Sequence, residues 1–193
     1  MLVLAAFPPE LAALDPGIER ATVGVGLVDA ALGAARVLAT RKPREVVLVG
    51  TVGAYPGSGL GIGDVVRAEK VLLAAPSGAL IEAISRRIDL DRSDPNDLTL
   101  SARSVIVATT LAVTTDDTVA SALEASTGAH VEHLEAFAVA RACETAGVPF
   151  SAIFGVANIV GARGREEWRA NHEAAAAAAC RLLRSRPTMP SPA

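Results

Sequence analysis

Aromatic residues are scarce: one Trp, one Tyr and four Phe make up 3% of the 193 residues. With so few rings, a core has to be assembled from Ala, Val, Leu and Ile, a mixture that suits helices packed on a buried sheet. Cysteine is almost missing. Cys143 and Cys180 lack the close spacing of a zinc or redox pair, and both lie in Ala-rich helical sequence, where a free thiol is ordinarily a buried one. Positive charge is not in excess either. A net charge of −3 leaves no basic surface to track the phosphates of DNA or RNA, so nucleic acid is not an expected partner. Long hydrophobic runs are also absent: Leu2 to Phe7 and Val46 to Val49 fall far short of the roughly 20 residues needed to cross a bilayer, so no membrane span is expected. The N-terminus lacks the cationic start of a signal peptide, and Glu10 soon follows the first apolar run, which points to a cytoplasmic protein.

What is present is apolar sequence, 51% of the chain, broken at regular intervals by Gly and Pro. The length suits one domain over residues 1–185, with the Pro-rich 186–193 as a fraying tail. Leu2 to Ala6 reads as a strand buried on both faces. Ala21 to Val25 is a second extended segment. After Gly26, residues Leu27, Ala31, Ala34, Ala35 and Leu38 recur at helical spacing until Pro43. Glu45 to Val49 is the strongest strand, β-branched and uninterrupted, and it runs into an expected loop, Gly50 to Gly57. Asp64 to Ala68 reads as a strand, Leu80, Ile81, Ile84 and Ile88 as a helix, and Asp89 to Asp97 as a polar surface loop. Ser104 to Ala108 returns to strand. Helices are expected over Thr118 to Ala125 and Glu132 to Ala146, the latter stopped by Gly147. Phe150 to Ala157 is the last core strand, and Glu166 to Arg184 the final amphipathic helix. Strands alternating with helices imply a three-layer α/β/α sandwich around a mixed, largely parallel sheet. In such sheets ligands bind beyond strand ends, which directs attention to the loops after Ala6, Val25, Val49 and Ala157.

Four segments in chain order carry a resemblance. Gly24-Val25-Gly26 followed by Val28-Asp29-Ala30-Ala31, Val49 to Ala54 with Gly63-Asp64-Val65-Val66, Val131-Glu132-His133-Leu134-Glu135-Ala136, and Phe150 to Asn158 together resemble the purine nucleoside phosphorylase and nucleosidase superfamily. Val156 to Arg169, with its arginines and Trp168, resembles most the futalosine hydrolase branch, whose members remove hypoxanthine from a menaquinone precursor. The resemblance implies a hydrolase of purine nucleosides, active as a homo-oligomer and without cofactor or metal. It places Gly26, Thr51, Gly53, Leu134 and Glu135 against the substrate, with Leu134 where methionine is usual, and Glu10 and Asn158 at the chemistry.

The residue types suit that chemistry. Cleaving an N-glycosidic bond passes through a ribosyl cation, so a site needs a group to hold the ribose, a group to relieve charge on the departing base and an activated nucleophile. Glu135 matches the carboxylate that binds the sugar hydroxyls and stabilises positive charge on the ring. Glu10, after Pro8-Pro9, matches the carboxylate that activates water, although an acid in a first helical turn also has a purely electrostatic use there. Asn158 stands where many family members have Asp, and it offers an amide donor and a carbonyl acceptor without titrating. It does not by itself choose between hypoxanthine and adenine. Phosphorylases of the family use arginines to bind phosphate. Here one of those places holds Leu48, and residues 7–14 contain none.

Other features stay open. His130, Glu132, His133 and Glu135 imitate metal ligands by proximity, but a helix would turn them partly apart, and no metal is expected. Arg163, Arg165 and Arg169 are either a solvated cluster or contacts for a carboxylate on the substrate tail, and Trp168 either flanks the cleft or caps the last helix. A phosphate-dependent phosphorylase, a methylthioadenosine/S-adenosylhomocysteine nucleosidase and a non-catalytic nucleoside-binding or assembly subunit are the competing functions.

Overall fold

The computed structural model describes residues 1–75, 87–90 and 102–184. The expected helix at Leu80, Ile81 and Ile84, most of the 89–97 loop and the 186–193 tail lie outside the described residues.

Strands and helices alternate as the spacing predicts. β1 (Leu2–Ala5) leads into a 3-10 turn at Pro8–Leu11, and β2 (Arg20–Thr22) precedes α1 (Leu27–Arg41). Arg20 donates to the carbonyls of Leu11, Leu14, Asp15 and Ile18, which pins the connection between β1 and β2. There follow β3 (Val46–Ala54), β4 (Val65–Leu73), β5 (Arg87–Asp89) and β6 (Arg103–Thr109). The C-terminal half contains α2 (Asp117–Thr127), β7 (Val131–His133), α3 (Ala136–Ala146), β8 (Phe150–Ile159) and α4 (Gly164–Arg184).

Among the described residues, five strand pairings are parallel and three antiparallel, the mixed, largely parallel sheet expected. The strands also do something that alternation alone does not foretell. β8 lies parallel to β3 along its whole length and antiparallel to β4 at its middle. β4 then pairs with β6, β6 with β7, and β7 returns to Gly53 and Ala54 of β3, so five strands close a ring. β1 and β2 extend from β3, and β5 from β4. Helices α1 and α3 pack against each other and share one core with Leu4, Leu48, Val52, Val107 and Phe154. A second core seats α4 against Val3, Val47, Val49 and Ile153, and a third seats α2 against Tyr55, Leu72 and Val160. Small side chains at the contacts (Ala30, Ala34, Ala138, Ala175, Ala179) let helices lie close to their neighbours, the structural counterpart of the missing rings.

Three expectations need correction. Gly50 to Ala54 is strand, not loop: β3 runs on because these residues pair with β8 and β7, and its glycines reflect what packs on them. Glu132 to Ala146 is not one helix, because Val131–His133 pairs with β3 and β6 and α3 begins only at Ala136. Ile88 lies in β5, paired with Val71 of β4, rather than on a helix.

Candidate active site

The short 3-10 turn after β1 buries Glu10, which is 4% exposed. Pro8 and Pro9 set the turn, since each fixes φ near the helical value and needs no amide donor there. The carboxylate is held by three donors: Ala6 N–H to Oε2 at 3.1 Å, and Thr51 N–H at 3.1 Å and Thr51 Oγ1–H at 3.3 Å to Oε1. These bonds favour ionisation. Burial opposes it more strongly, and the nearby Glu135 carboxylate adds to the effect, so the Glu10 pKa is pushed up to about 7. A carboxyl group in that state exchanges protons at neutral pH, which suits a general base.

Glu135 does not sit on a helix face as the continuous-helix reading implies. It occupies the N-cap position of α3, in the turn after β7. The turn is tied by His133, whose Nδ1 accepts the N–H groups of both Glu135 and Ala136 at 3.0 Å, while Thr109 Oγ1 accepts that of Phe137. These side chains satisfy amides that would otherwise be orphaned at the helix start. A nitrogen that accepts two N–H groups has no proton to give, so the network assigns the imidazole as neutral, protonated on Nε2. Its 3.1 Å approach to Glu135 Oε2 is therefore a close contact and not an ion pair, in keeping with a pKa lowered by burial. The Glu135 carboxylate instead takes the Gly26 N–H at 2.7 Å. Gly26 heads α1 with φ +87°, a conformation that strains any other residue and that aims its amide at Glu135.

Asn158, near the end of β8, is 8% exposed. One amide hydrogen goes to the Ile159 carbonyl at 3.0 Å, which orients the group and leaves a second N–H and the carbonyl oxygen for a ligand. Gly53 lies beside it because nothing larger fits: a Cβ there would come within 2.8 Å of Asn158 Nδ2 and of Val160 Cγ2. On the other side of Gly53, in register across β7, is Glu132. Its carboxyl receives Thr114 N–H at 3.0 Å, Thr114 Oγ1–H at 2.5 Å and Tyr55 O–H at 3.4 Å, and burial raises its pKa.

These groups converge. A cavity of about 660 Å3 is lined by Glu10, Thr51, Gly53, Leu134, Glu135, Asn158, Arg165 and Trp168, together with Phe7, Val25, Val113, Thr115, Glu132 and His133 among others. That volume falls within the usual span of small-ligand sites, about 300–1,000 Å3. Gly26, expected against the substrate, is not among the residues that line the cavity; its N–H is bonded to the Glu135 carboxylate. Arg163 is directed elsewhere: it is solvent-exposed and pairs with Glu167 at 3.1 Å. Leu48, where a phosphate-binding arginine would stand, is fully buried. Among the described residues no three His, Cys, Asp or Glu side chains converge as metal ligands, and no helix is long and apolar enough to cross a membrane.

Sequence reasoning missed Phe7, Thr109 and Thr114, whose parts depend on contacts between distant segments. His133 and Glu132 stood within the family-like segment Val131 to Ala136 and as imitation metal ligands, with no part in the site assigned to either. The single usable signal was Gly128, which stops α2 three residues before the β-branched Val131, a pairing that suits a strand start better than a helix interior.

Comparison with known proteins agrees with this architecture. A futalosine hydrolase from Thermus thermophilus is 32% identical over 177 residues, covering 83% of this chain and 78% of that protein. The fold matches that of a futalosine hydrolase mutant of Helicobacter pylori strain 26695, with a TM-score of 0.82 at 16% identity over 96% of both chains. It also matches a 5'-methylthioadenosine/S-adenosylhomocysteine nucleosidase from Colwellia psychrerythraea 34H in complex with adenine, with a TM-score of 0.79 at 20% identity over 94% of this chain and 91% of that one. Residues 20–185 match the phosphorylase superfamily, and the chain belongs to that family.

Proposed function

We propose that this chain is a cytoplasmic nucleosidase that hydrolyses the N-glycosidic bond of a purine nucleoside, with futalosine as substrate and hypoxanthine and dehypoxanthinyl futalosine as products. The observation that carries the reading is the meeting of Glu10, Glu135 and the Asn158 amide in one cavity. Glu10 takes a proton from water as the water oxygen bonds to C1′ of the ribose. The C1′–N9 bond breaks and its electron pair leaves with the purine. Glu135 accepts the ribose hydroxyls and offsets the positive charge that builds on the ring, and Asn158 donates to the departing base. The Thermus relative supports futalosine.

Hydrolysis rather than phosphorolysis is supported by Thr51. Its amide and hydroxyl, which could otherwise meet an anion, are already given to Glu10, whose own charge repels phosphate. A second reading, an adenine-specific nucleosidase, draws on the remaining amide groups of Asn158. One free N–H and one carbonyl oxygen complement the N7 acceptor and 6-amino donor of adenine. The test is a panel of futalosine, inosine and methylthioadenosine with and without phosphate. Phosphate-independent release of hypoxanthine from futalosine is expected. Strict phosphate dependence would make the chain a phosphorylase, preference for methylthioadenosine would favour the second reading, and no release from any nucleoside would leave a binding subunit.

The proposal includes a homo-oligomer. Val25 and Val113, at the cavity, and Val28, Leu32 and Leu111 are each more than half exposed. Such a collection of apolar side chains is what a second copy would cover. Sedimentation equilibrium should give a dimer or larger species, and Val28→Asp with Leu32→Glu should yield monomer.

A further inference from the structure

Trp168, the only tryptophan in the chain, lines the cavity and also does something more specific. Its indole N–H donates to Thr51 Oγ1 at 3.0 Å, and Thr51 Oγ1–H in turn donates to Glu10 Oε1 at 3.3 Å. With Glu10 ionised, the form a base requires, the directions are fixed. An indole can only donate, a carboxylate can only accept, and a hydroxyl has one proton to place. We infer that Trp168 is a positioning residue for the hydrolytic base: it fills the acceptor side of the Thr51 hydroxyl and so commits that hydroxyl's proton to Glu10.

The inference rests on the reading of Glu10 as base. Three separate elements build the chain of bonds: α4 supplies Trp168, β3 supplies Thr51, and the turn after β1 supplies Glu10. The indole is itself held in place. His172 stacks on it at 4.2 Å with an 18° interplanar angle, its Nδ1 3.1 Å from the Trp168 carbonyl, and Phe7 lies against it at 6.2 Å. Without the indole, the Thr51 hydroxyl is free to turn toward the cavity and exchange its proton with water. Glu10 then keeps only the two backbone donors, Ala6 and Thr51 N–H. Other ionisable groups surround the relay. Glu135 and His133 face the cavity from the β7–α3 turn, Arg165 lines it from α4, His172 covers the indole, and the Cys180 thiol donates to the Glu10 carbonyl at 3.3 Å.

Trp168→Phe keeps an aromatic ring and removes the donor, at the cost of some ring volume. The acid limb of its kcat/KM profile for nucleoside hydrolysis should move up by about one pH unit, because an ionised carboxylate that loses a committed hydrogen bond is easier to protonate. Turnover should fall about tenfold at pH 6 and little at pH 8.5, with KM unchanged. Thr51→Val should move the limb the same way, the double variant no further than Thr51→Val alone, and Thr51→Ser should restore it. A second readout needs no turnover. In a His172→Gln background, which removes the stacked imidazole as a quencher, Trp168 emission should titrate with the wild-type acid limb, and adding Glu10→Gln should abolish that titration. A uniform rise in KM at every pH with an unmoved limb would make Trp168 a substrate contact and overturn the inference, as would emission indifferent to Glu10. Glu10→Gln measured alongside separates the two levels. If it turns over normally, the base assignment itself falls; if it is inactive while Trp168→Phe leaves the limb in place, only the relay falls.

Discussion

Replacing Glu10 with glutamine tests whether the carboxylate proposed as the base also burdens the fold. The rise from an ordinary glutamate value of 4.5 to about 7, at about 1.4 kcal/mol per pH unit, amounts to about 3 kcal/mol. The sign follows from proton binding. Between pH 4.5 and 7 the folded chain holds a proton that the unfolded chain has released, so stability is greatest below 4.5, declines as pH rises through 7 and then levels. Glu10→Gln has no such dependence. The amide has its own fixed cost, about 1–3 kcal/mol for an NH2 group facing the Ala6 or Thr51 N–H, but that cost does not vary with pH. Urea melts of both proteins followed by circular dichroism from pH 4 to 8.5 should therefore diverge: the variant gains about 3 kcal/mol on the wild type across the range, most of it between pH 4.5 and 7. Loss of turnover by about 10²–10⁴-fold should accompany it. Parallel stability curves would refute the burial argument, and normal turnover would refute the catalytic one.

Gly53→Ala should cost about 1–3 kcal/mol of stability and displace the Asn158 amide, which like Val160 Cγ2 lies 2.8 Å from the new methyl position. A kcat/KM loss of about tenfold or more is expected from a misplaced group, and crystallography of the variant should find the amide moved. Gly155→Ala sets a methyl 2.1 Å from the Ala175 carbonyl of α4, a backbone contact that cannot swing away. A loss of at least about 1–3 kcal/mol is expected in chemical denaturation. Thr114→Val removes the hydroxyl from buried Glu132 while the backbone bond remains. Thermal melts should show destabilisation of about 1–3 kcal/mol, greater at pH 8 than at pH 5, because burial raises the Glu132 pKa and the lost donor chiefly served its ionised form.

The parts of this molecule legible from sequence are those set by local periodicity. α1, α2 and α4, β1 and the first half of β3 follow from spacing and from the Gly and Pro residues that stop them. Legibility fails where a residue's neighbour is distant. Gly50 and Gly53 look like a loop because glycine weakens a strand. They are strand residues whose missing side chains make room for Glu10 and Asn158. β7 is three residues long, too short to show a period of two, and it abuts a true helix whose pattern absorbs it. Glu10, Glu135 and Asn158 could be nominated from strand ends and motif order, but the bonds that set their states could not. Tyr55 meets Glu132 across 77 residues and Trp168 meets Thr51 across 117.

The place of β8 in the ring of strands sets the order in which the protein can be made. Phe150–Ile159 is the last strand among the described residues, yet it fills the gap between β3 and β4, which are formed from residues before 74. A nascent chain on the ribosome therefore carries two unzipped strand edges until residue 159 has emerged, and closure must join segments about a hundred residues apart, a slow class of step. A chain ending before that point leaves Gly53 without its neighbour Asn158 and the facing edges of β3 and β4 unpaired, the kind of exposed strand edge that invites pairing with another chain.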